Sequence, residues 1–245
     1  MNVALPLAST VLSFIAAILV FDQFLSRRKP YQLVWTIGFV WFGLSAFTEF
    51  YGNSQGWNAT LYRYWYLIGA YFVAAYLGMG TIYLLAPRRI AHIVMALLVL
   101  GSIYGAYLVF SAPVDSSLLP KIGQVVTAQA LPGYVRFPLP AIFNSFGAGA
   151  LVIGALYSAS VFIRHHILQH RVISNVIIAV GAFIPSVTGL LNRMGLPELF
   201  FVGELLGILV IFIGFLVSIE VFERFKLPFV NVTIGSRRQS PGAGK

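Results

Sequence analysis

The chain has 245 residues, of which 59% are apolar and 9% charged. A soluble domain carries about a quarter charged residues, and one of this length cannot hide so much apolar surface while showing so little charge. The composition therefore excludes a soluble enzyme and a disordered chain, and it points to lipid as the solvent. Sixteen Lys and Arg against seven Asp and Glu give a net charge of +9. These cations sit in short segments between apolar runs and form no basic face with interleaved aromatics, so they read as membrane topology rather than nucleic-acid binding. There are no cysteines, which excludes disulfides, thiolate catalysis and thiolate metal sites.

A helix needs about 20 residues to cross about 30 Å of hydrocarbon. Uncharged or nearly uncharged runs predict seven such helices, over about 3–25, 31–51, 61–86, 90–111, 138–163, 172–193 and 198–222. Continuous apolarity without in/out alternation selects helices over a β-barrel. The expected fold is an all-α, seven-helix membrane bundle over 1–224, followed by a basic tail, 225–245, expected to be disordered. The first run lacks a basic leader, and Arg27, Arg28 and Lys29 follow it, so it reads as a retained span rather than a signal peptide. Twelve cations fall on one side of this arrangement, in the 1–2, 3–4 and 5–6 loops and the tail. Four fall on the other side: Arg63, Lys121, Arg136 and Arg193. The positive-inside bias then predicts an external N-terminus and a cytoplasmic C-terminus in a cell membrane.

Most predicted loops are short. The exception, Ser111–Phe137, carries Pro113, Pro120 and Pro132, and its mildly apolar middle, Ile122–Leu131, reads equally as a lid over the outer mouth or as a plain loop. Ala150, Gly154 and Ser158 recur every four residues, a spacing that favours close helix packing within the bundle over a dimer seam. Pro185, with Ser186 and Thr188 after it, predicts a bent sixth helix. Faint similarity between 45–69 and 186–207 suggests a three-plus-one-plus-three repeat.

The seventh helix carries the most telling residue. Fifteen residues separate Glu204 from Glu220, about 22 Å of helix, which is short of the hydrocarbon thickness. Leu199, Phe200, Phe201 and Val202 precede Glu204 and belong at lipid depth. The register that fits submerges Glu204 one to two turns below the outer surface, facing the bundle, where an ionisable residue is by default a functional candidate. Glu49, Arg63, Asn144, Arg193 and Glu198 fall in the same leaflet and complete the candidate ligand-binding set. The expected ion pairs are Glu49 with Arg63, and Arg193 with Glu198 or Glu204. Taken singly, Glu49 and Glu198 read as interfacial charges.

His92, His165, His166 and His170 all lie at the predicted cytoplasmic ends, without a matching carboxylate, so no metal or haem is expected. Lysines occur at 29, 121, 226 and 245, outside every predicted span, which excludes a retinal Schiff base. Asn58-Ala-Thr60 matches a glycosylation acceptor. No hydrolase, metalloprotease or P-loop motif is present, and neither catalysis nor a cofactor is expected. The sequence thus predicts a membrane protein with an outward-facing polar pocket at Glu204. Its role would be ligand-binding, sensory or as an accessory subunit, with small-solute or proton-coupled transport as the alternative. Its partners would be the lipid bilayer, a small polar ligand, and a protein in the membrane or at the cytoplasmic face.

Overall fold

The computed structural model describes residues 3–165, 169–193 and 199–218, and among these it is all-helical. Seven long helices follow one another in the described residues: α1 (Ala4–Arg27), α2 (Pro30–Gln55), α3 (Ala59–Leu85), α4 (Arg88–Ser111), α5 (Leu139–His165), α6 (Gln169–Arg193) and α7 (Leu199–Ser218). Five of the described segments are long and apolar enough to cross a membrane: α1 to α4 and Gly133–Tyr157. Their boundaries follow local chemistry. Arg28 ends α1 in the left-handed region at φ 52°, with its N–H bonded to Phe24 O, and Pro30 opens α2 at the position where its missing N–H costs nothing. Gly56, at φ 94°, ends α2, and the Asn58 side chain caps α3 by accepting from Leu61 N at 2.9 Å.

Six helices close a ring in the order α1, α2, α3, α5, α6, α7, with α7 packed back on α1; α4 lies outside the ring against α3. The end of the bundle that holds the α2–α3 turn is called the upper end below. Trp35, Phe39 and Phe42 of α2, Leu77 of α3, Leu151 of α5, Ile178 of α6 and Ile208 of α7 meet on the axis. By contrast, Ile93, Leu97, Leu100, Ile103 and Tyr107 of α4 are exposed. An apolar exterior of this kind suits hydrocarbon rather than water.

The ring is tightest where side chains are absent. A Cβ on Gly78 would lie 2.6 Å from Gly147 O, and one on Gly147 would collide with Ala74 O, so α3 and α5 touch backbone to backbone. On the other side, a Cβ on Gly207 would lie 2.5 Å from Pro185 Cγ. Gly154 faces Thr81 and Leu85 and Ala150 is buried, so these two small residues of α5 pack inside the molecule, while the side chain of Ser158 lies outside the described residues.

α3 is interrupted by a π-helical turn, Ile68–Phe72. The extra residue rotates everything beyond it by about 100°. Tyr62 and Tyr66 are thereby buried above the turn, and Ala75 and Met79 below it.

The long loop caps the upper ends of α3, α4 and α5. Val126, Ala130, Leu131 and Val135 are buried in one cluster with Tyr62, Tyr66, Tyr71 and Phe143. Tyr62 donates to Thr127 O, and Tyr71 donates to Val135 O at 2.8 Å. Of the two readings of Ile122–Leu131, its C-terminal half is a packed cover, while Ile122 itself is exposed.

Candidate functional site

Four elements bring polar side chains to one depth near the upper end. Glu49 lies six residues before the end of α2, Trp65 six after the start of α3, Asn144 five into α5 and Glu204 five into α7. At 1.5 Å per residue each is about 8–9 Å inside its helix end.

Two of the candidate residues meet. Glu49 is 1% exposed and Glu204 8%, and their carboxyls face each other across the inside of the ring. Trp65 Nε1 donates to Glu49 Oε1 at 2.7 Å. The Oε2 atoms of both acids are buried and receive no protein N–H or O–H. Glu49 is therefore no interfacial charge. It belongs to a face of α2 that reads Trp41, Ser45, Glu49, Asn53, one residue per turn. Ser45 and Asn53 on that face are likewise buried, Trp41 packs on Phe72 and Tyr76 of α3, and Ser45 Oγ lies against Gly69. This spacing of four was visible in the sequence and marks Glu49 as inward-facing.

The expected Glu49–Arg63 pair is not formed. Arg63 Nη2 instead donates to Ala112 O at 2.8 Å, at the end of α4, where unsatisfied carbonyls concentrate negative charge. Glu49 and Arg63 are fourteen positions apart across a turn, and the first turns of α3 aim Arg63 at the loop while aiming Trp65 at α2.

Asn144 is held apart from the acids. Its Nδ2 donates to Ala70 O and to Pro140 O, each at 2.8 Å. Ala70 lies in the π turn of α3, so Asn144 satisfies a carbonyl at the irregular turn and ties α5 to it. Glu198 and the side chain of Arg193 lie outside the described residues, as do the side chains of His165, His166 and His170 and the tail 225–245. His92 Nδ1 is 2.9 Å from Tyr83 Oη.

Trp65 joins the candidate site, and the sequence carries no signal that separates it from the neighbouring aromatics Tyr62, Tyr64 and Tyr66. It packs on Trp57 and Tyr62, and Tyr62 bonds the loop at Thr127. One chain of contacts thus runs from Glu204 through Glu49, Trp65 and Tyr62 to the covering loop.

Below the acids, a small apolar cavity of about 40 Å³ lies near the axis. It is lined by Phe42, Leu77, Leu151, Pro185 and Ile211, together with alanines of α3, α5 and α6.

No known protein family, curated protein or solved structure matches the chain.

Proposed function

We propose that this chain is a seven-span protein of a cell membrane, with its N-terminus outside and its C-terminus in the cytoplasm. Its role is that of a ligand-binding or sensory protein, alone or as a subunit of a membrane complex, and its site is the Glu49–Glu204 pair. The cation asymmetry of the loops supports the orientation, which makes the upper end the external one.

The observation that carries the role is the meeting of two buried acids, with two carboxyl oxygens left without a donor. Burying such groups is costly unless something positive or hydrogen-donating completes them. A bundle that needed only rigidity would place apolar residues there at lower cost. A small cationic or zwitterionic solute arriving from outside would complete the pair. The contacts of Trp65, Tyr62 and Thr127 would carry its effect to the external loop.

The test is thermal unfolding of the protein in lipid nanodiscs against small cations, zwitterions and anions. A positive or zwitterionic solute should raise the wild-type melting temperature and leave that of Glu204→Gln unchanged. A flat response across the set, with no protein co-purifying, would overturn the reading.

A second reading, small-solute or proton-coupled transport, draws on two observations. α4 lies outside the ring, between two sequential sets of three helices, an arrangement that parallel-repeat transporters also use. The axial cavity abuts Pro185, where α6 has a break in its hydrogen bonding. Its apolar walls offer no polar path inward. Liposome flux that depends on Glu204 would favour transport over sensing.

A further inference from the structure

The Glu49–Glu204 pair also specifies what it binds. A carboxylate has no hydrogen to give, so two buried carboxyls that face each other can bond only by holding a proton between them. Trp65 Nε1 donates to Glu49 Oε1. The two Oε2 atoms are left with no N–H or O–H.

The charged groups of the described neighbouring helices are engaged elsewhere. α1 packs on both α2 and α7, and its buried upper half presents Ser9, Thr10 and Ser13; its charged residues Asp22 and Arg27 are exposed at the far end. From α3, Arg63 is bonded to Ala112 O and Tyr62 to Thr127 O, while Tyr66 is buried in the cluster under the loop. α6 presents Thr188, whose hydroxyl bonds its own helix at Ile184 O.

We propose that Glu49 and Glu204 form a single-proton site that ties α2 to α7 and lets the protein respond to external pH. Resting on the reading of this pair as the ligand site, the proposal makes the proton its ligand. Water at the external face supplies the proton, which binds one carboxylate oxygen and bridges to the other acid, taking the pair from two negative charges to one. Its release leaves two carboxylates in contact within a medium of low dielectric, where repulsion between like charges is strong. Separation of α7 from α2 relieves that repulsion and withdraws Glu49 from Trp65.

The experiment is infrared difference spectroscopy of the full chain in nanodiscs, titrated from about pH 4 to about pH 10 to cover the ordinary carboxyl and lysine ranges. Tryptophan emission is recorded in parallel. The wild type should show a protonated-carboxyl stretch that disappears in a one-proton step, with an emission shift at the same pH. That step should be lost in Glu49→Gln and in Glu204→Gln, whose amides can still donate across the pair. It should persist in Asp22→Asn and Asp115→Asn, whose carboxyls lie at the far end of α1 and on the covering loop. Trp65→Phe should remove the emission shift and keep the infrared step.

Absence of the stretch in the wild type at every pH overturns the proposal, as does its persistence in both Gln variants. A stretch abolished by sodium at constant pH, with choline as the control salt, also overturns it, by assigning the site to a metal cation. The wild-type titration in the two salts needs no variant to fold. A missing stretch with Glu204-dependent stabilisation by a small solute removes the proton and keeps the ligand site; loss of both removes both.

Discussion

Trp65 and Asp115 show how single side chains tune this molecule at its two polar surfaces. Inside the bundle, the Trp65 indole donates to Glu49 Oε1. Trp65→Phe keeps the ring and removes that hydrogen bond. A loss of about 0.5–1.5 kcal/mol is expected, since hydrogen bonds between membrane helices are worth less than isolated values suggest. Reversible unfolding in mixed micelles measures it. On the loop, Asp115 accepts from Ser117 Oγ at 2.6 Å and Ser117 N at 2.9 Å. Those bonds, the side-chain one foremost, hold its carboxyl below the ordinary aspartate range. A lowered folded-state value means that the contribution is complete above the ordinary aspartate value and is lost as pH falls through the folded one. Hydrogen-exchange protection at Ser116–Leu118, relative to the intrinsic rate at each pH, should therefore fall on acidification, and Asp115→Ala should abolish that dependence.

At the scale of elements, the contact between α3 and α5 is made by what is missing from it. Gly147 leaves no space for a side chain against Ala74 O, so Gly147→Val must push the helices apart, at about 1–3 kcal/mol or more. At Gly149, two residues on, an added Cβ would meet nothing within 4 Å. Gly149→Ala should be neutral or stabilising by up to about 1 kcal/mol, from helix propensity alone. The two melting temperatures should move in opposite directions or only the first should fall; equal losses would contradict the packing. The same element explains Asn144. It was legible as a polar residue two turns into an apolar helix, yet its partner, a carbonyl in the π turn of α3, was not, because apolar residues carry no signal for where a helix gains an extra residue.

For the molecule as a whole, orientation is the property on which the site's access depends. The absence of native cysteine makes single-cysteine labelling direct. Ser116→Cys in the loop should react with an impermeant maleimide on intact cells, and Ser26→Cys at the far end of α1 should react only after lysis. The reverse pattern would turn the acidic pair to the cytoplasm.

The sequence by itself determined the helical class and the presence of helices long and apolar enough to cross a membrane, because both follow from one-dimensional quantities: apolar content and run length. It also placed Glu49, Arg63 and Asn144 near one end of the bundle. The tertiary structure decided who meets whom. Nearness along the chain suggested Glu49 with Arg63, whereas the ring closes α7 against α1 and brings Glu204 to Glu49 from 155 residues away. Rotation about each helix axis, set by glycine contacts and the π turn, aims Arg63 at a helix end and Trp65 at an acid. Such rotations are collective outcomes of packing, so they belong to the fold and to no local stretch of residues.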